Sequence, residues 1–355
     1  MTDYLRIAED EVYRLADQVF QAVGVPKEHA GVVARNLTLG ELHGLGSHGV
    51  SRLLPIYVER FERGGFNAHP DMQVVRANKG AALVDGDHGP GAVVGMYAMR
   101  MAIDLAKEHG SGWVGTLRSN HFGAAFVFAR EALAQGMIGF TTTTAVPQQA
   151  AYGGTRKVLG TNPLCIAVPG GERGNVILDM ATSVVARGKV QLAALEGHDI
   201  PEGWSVDKEG QPTTDAQRAA RPDARMLSLG GYKGYGLAMM VEILSAVLTG
   251  SAVGNEIGSL FSDTEQPQQM GHFFGALEIE AFMPLEQFQA RIDALVSDMK
   301  AGPLEPGAKE ILVPGEREAR CAEAYRREGI PIAEDVVTLL NQVAEQHGVP
   351  PMRVI

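Results

Sequence analysis

Apolar side chains recur at helical spacing over residues 8–23, where Val12, Leu15, Val19, Phe20 and Val23 share one face and Gly24 supplies the stop. Pro26 then occupies the place where a helix accepts a residue without an N–H, and Ala30, Val33 and Leu37 carry the period on to His43. A third helix is predicted over 52–63, closed by Gly64-Gly65. Short apolar runs at 72–75 and 81–85 predict strands around the turn Asn78-Lys79-Gly80. Met96, Met99, Ile103 and Ala106 predict a helix over 93–109, ended by Gly110-Ser111-Gly112. Residues 113–117 read as a strand running through a polar junction into a helix that Gly136 stops.

Beyond it, the β-branched run 137–144 predicts a strand, as do 164–168 and 176–179, the last leading into a helix entry at Asp179-Met180-Ala181-Thr182-Ser183. Residues 196–225 are polar and punctuated by proline, which predicts a surface excursion. Residues 237–244 are apolar almost throughout, which predicts a central core helix. Alternation at 273–282 predicts a strand and 285–299 an amphipathic helix. Residues 311–316 predict a strand reaching a tight turn, before two C-terminal helices over 316–327 and 333–347. No internal repeat or low-complexity tract interrupts the chain.

With 355 residues the chain can bury a large core, as two domains or as one with appendages. Its 31 basic residues stand against 42 acidic ones, a net charge of −11, and no basic run offers a nucleic-acid or anionic-membrane footprint. A small-molecule partner is expected, with no nucleic acid and no membrane. Met1 to Arg6 lacks a cationic leader, and no run of about 18 apolar residues occurs, so a cytoplasmic location is expected. Cys165 and Cys321 form no CxxC pattern and are expected as small apolar residues. The ten histidines include no HExxH or other tight ligand spacing, so no metal is expected.

Candidate chemistry concentrates in Gly44-Leu45-Gly46-Ser47-His48-Gly49-Val50-Ser51-Arg52. An imidazole exchanges protons near pH 7, and a guanidinium four residues on can grip a carboxylate with two parallel hydrogen bonds. Ser47, His48 and Arg52 therefore suit a small acid whose carbonyl or hydroxyl must gain or lose a proton. A second candidate is Asn120-His121-Phe122-Gly123-Ala124 at a strand-to-helix junction, where His121 can bind a ligand or cap the helix. Gly86-Asp87-His88-Gly89-Pro90-Gly91 also joins a strand to a helix, but lacks the GxGxxG spacing and the P-loop lysine. Asp179 can cap a helix or bond a ribose hydroxyl, Lys189 can be a surface lysine or a site cation, and the glycines around Lys233 suit a phosphate.

Taken in order, Ser47-His48-Gly49 with Arg52, Asn120-His121-Phe122-Gly123, Gly160-Thr161-Asn162-Pro163, Asp179-Met180-Ala181-Thr182-Ser183, Lys233-Gly234-Tyr235-Gly236 and Val313-Pro314-Gly315 resemble the malate/L-lactate dehydrogenase family of non-Rossmann type. Its relatives include ureidoglycolate dehydrogenase, sulfolactate dehydrogenase, diketogulonate reductase and the piperideine/pyrroline-2-carboxylate reductases, and the resemblance spans nearly the whole chain. It implies an α/β protein, sulfolactate dehydrogenase-like, in which a non-Rossmann mixed-sheet nicotinamide domain (119–289) joins a helical substrate and dimerisation region (1–118 plus 290–355). The absence of a GxGxxG after the first strand agrees with this. It further implies a homodimer that transfers a hydride between NAD(P) and C2 of a small 2-hydroxy or 2-oxo acid. On the same resemblance His48 donates the proton, supported by Ser47, while Arg52 and Thr161 hold the carboxylate substrate. His121, Phe122, Gly123, Ala124, Ala125, Asp179, Met180, Ala181, Lys233, Gly234, Pro314, Gly315, Glu316 and Arg317 line the cofactor. The ureidoglycolate branch gives the acid/base role to the histidine matching His121, so His48 is preferred but the choice stays open. The cyclic-imine reductases carry an aspartate where this chain has Lys189, whereas the hydroxy-acid branches carry lysine. An ammonium there repels a protonated iminium and favours an anion, which makes imino-acid reduction the alternative. Glu316 and Arg317 argue in opposite directions about a 2′-phosphate, with NAD the preferred expectation over NADP.

Overall fold

The computed structural model describes residues 3–355; Met1 and Thr2, within the stretch read for a leader, and the side chains of Leu195 and Glu196 lie outside the described residues. Strand β1 (Tyr4–Ile7) precedes helices α1 (Glu9–Ala22), α2 (Lys27–Leu42) and α3 (Val50–Arg63). The apolar stripe of α1 puts Val12, Leu15, Val19 and Phe20 at zero exposure against α2 and α3, which is what its periodicity demanded. At the other end of the chain, α10 (Glu316–Glu328), β14 (Ile330–Ala333) and α11 (Glu334–Gln346) return to this layer, and β14 pairs antiparallel with β1. Neither of those two strands was anticipated, since four residues carry almost no periodic signal.

A seven-stranded mixed sheet forms the centre, in the order β2-β3-β4-β13-β5-β8-β9. Its strands are β2 (Gln73–Asn78), β3 (Ala81–Asp85), β4 (Ser111–Ser119), β5 (Met137–Thr143), β8 (Leu164–Val168), β9 (Val176–Met180) and β13 (Met270–Glu278). Only β3 and β4 run parallel, joined by the crossover helix α4 (Gly91–His109). That helix and α5 (Phe126–Leu133) cover one face of the sheet. They approach closely because the strands offer glycine: a Cβ at Gly112 would lie 1.9 Å from Ala102 O, and one at Gly139 2.0 Å from Ala129 O. The proposed boundary at 118/119 falls inside this sheet, at the end of β4, so strands from both sides of it share one hydrogen-bonded layer.

The polar stretch predicted as a surface excursion folds instead into a small unit. It combines β6 (Gln149–Ala150), β7 (Lys157–Leu159), β10 (Ser205–Val206), β11 (Pro212–Thr213) and β12 (Arg225–Met226) with α6 (Arg187–Glu196) and α7 (Ala216–Ala219). Its own core of Val185, Val190, Ala194, Ile200, Ala216, Ala219 and Met226 is assembled from scattered residues, so no local run announced it. Three further expectations are corrected. The helix predicted to enter at Asp179–Ser183 starts only at Arg187. Residues 311–313 form no strand, although Pro314 O accepts a hydrogen bond from Ile177 N at 3.0 Å. The apolar helix α8 (Tyr232–Glu242), continued by a π-helical turn over Ile243–Val247, is a surface element: Leu237 is 41% exposed, Met240 51% and Leu248 61%. Its inner side alone is packed, with Gly234, Ala238, Val241 and Glu242 buried. Helix α9 (Leu285–Lys300) packs at the outer side, Cys165 is buried in β8, and Cys321 on α10 is also a free thiol. No described helix is long and apolar enough to cross a membrane.

Candidate active site

Helix α2 ends at Leu42, and Leu45, Gly46 and Ser47 turn the chain through a 3-10 segment (Gly46–His48) into α3. The turn is held by Glu41, whose carboxylate accepts Ser51 N at 3.0 Å and Ser51 Oγ at 2.8 Å. Glycine at 49 leaves room for this carboxylate, because a Cβ there would displace Glu41 Oε2 from its place and stand 3.0 Å from Glu41 N. This fixes Ser47, His48 and Arg52 on one side of the turn, where all three line a cavity of about 240 Å³.

His121 reaches the same cavity from the end of β4. The segment before it is buttressed: Arg118 binds Asp85 at 3.0 Å and Asp87 at 3.1 Å, and Asn120 Nδ2 donates to His88 O at 2.7 Å and Gly89 O at 3.0 Å. With two carboxylates at its mouth, the Gly86–Gly91 loop is a support and not a phosphate cradle. Asn120 Oδ1 accepts Gln268 N at 2.8 Å, and Gln268 Oε1 accepts His121 N at 2.9 Å. The His48 and His121 rings stack with centroids 6.0 Å apart and planes 18° from parallel.

Each imidazole has its Nδ1 engaged from behind. Ser47 Oγ lies 3.0 Å from His48 Nδ1, and Tyr57 Oη lies 2.7 Å from His121 Nδ1. The Nε2 atoms are thus the ones left for a ligand. Burial lowers His48 to about 4, with the Arg52 charge adding to the effect. Burial also lowers His121 to about 3, helped by the neighbouring His48, His272, Arg52 and Arg60 charges. Both rings are neutral at pH 7, and charge is harder to place on His121 than on His48.

Arg52 crosses the cavity to the small unit, donating to Gln191 Oε1 at 3.2 Å and stacking on Phe261, its Cζ 5.2 Å from the ring centroid. Gly188 of α6 lies against it: a Cβ at Gly188 would be 2.4 Å from Arg52 Nη1. Thr161 also lines the cavity, its carbonyl accepting Thr182 N and Thr182 Oγ1, each at 2.9 Å. The loop bearing Phe261 is pinned by Arg60, which is fully buried on α3 and donates to the carbonyls of Ser259, Leu260 and Gln266. Tyr57, Arg60, Gln191, Phe261 and Gln268 were missed in the sequence. Arg60 carried a signal, since Leu53, Tyr57 and Arg60 follow the buried i, i+4, i+7 stripe, where a lone arginine is out of place.

Lys189 is exposed on α6, beside Gly188, and does not line the cavity. Phe122, Gly123, Ala124 and Ala125 are buried, and the Phe122 ring stacks on Phe128 and His272, each at 4.8 Å, so of residues 121–125 only His121 lines the cavity. Asp179 is solvent-open, and its Oδ2 accepts Phe126 N at 2.9 Å; the helix it serves is α5, not the one that follows it. Met180 and Ala181 are half-buried. Pro314 and Gly315 pack onto β9 at Ile177, with Gly315 at φ 84°. Lys233 is exposed at the start of α8 and Gly234 is buried; their loop is tied to β9's continuation through Leu229 N to Thr182 O at 2.9 Å. Glu316 is held by Lys300 at 2.6 Å, by Val313 N at 3.2 Å and by Arg320, whereas Arg317 is exposed and makes no ion pair among the described residues. Three of the four predicted cofactor segments, 121–125, 179–181 and 314–317, are therefore in succession, the first joined through its neighbour Phe126.

Comparison with known proteins places this geometry among relatives. A family model described as malate/L-lactate dehydrogenase matches residues 7–341. The chain is 38% identical over 353 residues to a malate dehydrogenase of Pyrococcus horikoshii, covering 98% of this chain and 97% of that one. It is 32% identical to the ureidoglycolate dehydrogenase (NAD(+)) of Escherichia coli, with 95% of each chain covered. It is 36% identical to the (2R)-3-sulfolactate dehydrogenase (NADP(+)) of Chromohalobacter salexigens, covering 94% of this chain and 96% of that one. The solved sulfolactate dehydrogenase of Methanocaldococcus jannaschii superposes with a TM-score of 0.90 at 37% identity, covering 98% of both chains.

Proposed function

The chain belongs to the malate/L-lactate dehydrogenase family, and from that membership we propose how its cavity works. It is an NAD(P)-dependent oxidoreductase acting on the CH–OH group of a 2-hydroxy acid. One observation carries the assignment of roles: a guanidinium and two neutral imidazoles with free Nε2 atoms share a single cavity of about 240 Å³.

Arg52 and the Thr161 hydroxyl bind the carboxylate, the planar fork fixing its orientation. His48 faces the C2 oxygen. In oxidation its neutral Nε2 accepts the hydroxyl proton, and in reduction the imidazolium returns it. His48 is preferred over His121 because the cation forms more easily there, with fewer positive neighbours. Once charged, its Nδ1–H donates to Ser47 Oγ. Carboxylate binding neutralises Arg52, one of the two causes that hold His48 low, so the anion itself prepares the proton donor. Tyr57 fixes the tautomer and tilt of His121, and Lys189 adds positive charge outside the cavity.

The cofactor residues fit a dinucleotide: Asp179 keeps one carboxylate oxygen for a ribose hydroxyl, and His121 links that region to the cavity. Met180, Ala181, Lys233, Gly234, Pro314, Gly315 and Arg317 complete the group. When bound, the nicotinamide gives or takes the hydride at substrate C2. Glu316, occupied by Lys300 and Arg320, is not available to a ribose diol, so the charge free at the turn is Arg317. The expected preference for NAD is accordingly revised to use of either cofactor.

The apolar face of α8 supports a homodimer, a second copy covering Leu237, Met240 and Leu248. Light scattering on the wild type and on Met240→Glu tests this, and a monomeric wild type rejects it. The reaction is tested by following reduced nicotinamide absorbance with a panel of 2-oxo and 2-hydroxy acids and each cofactor. Turnover appearing only when methylamine accompanies pyruvate would move the chain to imino-acid reduction.

A further inference from the structure

A second cavity, of about 480 Å³, is lined by Arg225 and Met226 of β12 in the small unit and shares no lining residue with the catalytic one. Six of its lining residues are glycines, Gly153, Gly154, Gly203, Gly210, Gly230 and Gly231, so much of its wall is bare backbone. A Cβ at Gly153, Gly203 or Gly230 would meet nothing within 4 Å, which leaves these backbones open to an incoming group. Tyr152, 67% exposed, stands at the rim with its ring 6.1 Å from that of Tyr232.

One charged side chain lines this cavity, Arg225. The residue is only 6% exposed, yet its guanidinium makes no ion pair and donates no hydrogen bond among the described residues. Its nitrogens are not sealed in the protein interior and so face the cavity. The nearest one to a wall stands 2.9 Å from where a Gly210 Cβ would be, an approach that a side chain there would prevent. Lys157 adds positive charge near Arg225: burial and then Arg187 are the leading causes that lower its ammonium, with Arg225 a further one against the opposing Asp223. Lys157 Nζ donates to the Pro222 carbonyl.

An arginine that is only 6% exposed, whose guanidinium has no ion pair or hydrogen-bond acceptor among the described residues, is poorly satisfied even in a chain of net charge −11. An oxyanion corrects this. It accepts the parallel N–H donors of the fork and brings the missing negative charge, while glycine backbones let its oxygens come close. We propose that the Arg225 cavity is a binding site for a small phosphate-bearing metabolite, separate from the catalytic cavity. A phosphate suits it better than a carboxylate because a second negative charge at neutral pH answers the neighbouring Lys157 charge as well.

Isothermal titration calorimetry with inorganic phosphate at fixed ionic strength tests the site, with acetate in a parallel arm. The wild type is expected to bind phosphate saturably and acetate at least tenfold more weakly. Arg225→Gln is expected to weaken phosphate binding at least tenfold, whereas Arg52→Ala, which removes one of the two arginines lining the other cavity, leaves it unchanged. Tyr152→Glu places a negative charge on an exposed rim position without touching a core, and is expected to weaken phosphate binding even if Arg225→Gln proves unstable. No saturable phosphate binding by the wild type, binding that Arg225→Gln and Tyr152→Glu leave unchanged, or acetate binding as tight as phosphate would overturn the proposal.

Discussion

Gly188→Ala separates what Arg52 does for stability from what it does for the substrate. The added methyl would sit 2.4 Å from Arg52 Nη1, roughly 1 Å short of an ordinary carbon–nitrogen contact. The intruded atom is the far end of a flexible side chain, so the guanidinium swings away and the backbone stays. Helix α6, which begins at Arg187, gains an alanine where it had a glycine, a change worth about 0.5–1 kcal/mol in its favour. The fork, however, is displaced from the carboxylate by about 1 Å. Losing one charge-assisted hydrogen bond of about 1.5–3 kcal/mol lowers kcat/KM by about 10- to 100-fold. Expected together are an unchanged or slightly raised melting temperature by circular dichroism and a fall in kcat/KM for the 2-oxo acid, mostly through KM. An unchanged kcat/KM in a folded variant would refute the assignment of Arg52 as the carboxylate grip. A lowered melting temperature would refute the account of where the methyl's strain goes.

His48→Ala should lower turnover by about 10²- to 10⁴-fold while Tyr57→Phe costs less than about tenfold; the reverse order in steady-state assays would assign the proton transfer to His121. With His48 at about 4, kcat/KM for reduction should fall about tenfold per pH unit from pH 5 to 8, since the free enzyme must carry the proton, while that for oxidation stays flat. A flat reductive profile would show that another group donates. Arg317→Ala should raise KM for NADPH about tenfold or more and leave that for NADH within about twofold; equal effects on both would remove Arg317 from recognition of the 2′-phosphate. His272, fully buried and lowered to about 3, is neutral when folded and takes up a proton on unfolding below its ordinary 6.5, so it withdraws stability as pH falls from 6.5 toward 3. The stability difference between wild type and His272→Gln should narrow by about 1.4 kcal/mol per pH unit across pH 6 to 4, and parallel curves in denaturant titrations would reject this.

Where a segment's own periodicity decided its structure, the sequence was sufficient. The α1 stripe, the strand at 164–168 and the helix after Pro284 all lie where the pattern put them. The failures share a cause. The small unit's core draws on Val185, Ile200, Ala216 and Met226, too far apart for any window to join, and α8 reads as buried because its apolar run continues round the face that the fold leaves exposed. In the site, Ser47, His48 and Arg52 were legible because six residues bring them together. Gly188 and Tyr57 carried no such local cue, and Tyr57 is also part of the core. Their importance comes from what crosses to meet them, Arg52 in one case and His121 in the other.

The anchoring of the 259–266 segment by Arg60 has a practical side. Because its path is set by grips on three carbonyl oxygens, and not by the identity of its side chains, residues at its tip such as Phe261 can be exchanged with little penalty to the chain's course. That makes this segment the natural place to build libraries that retune which acid the enzyme accepts, with Arg60 itself left untouched.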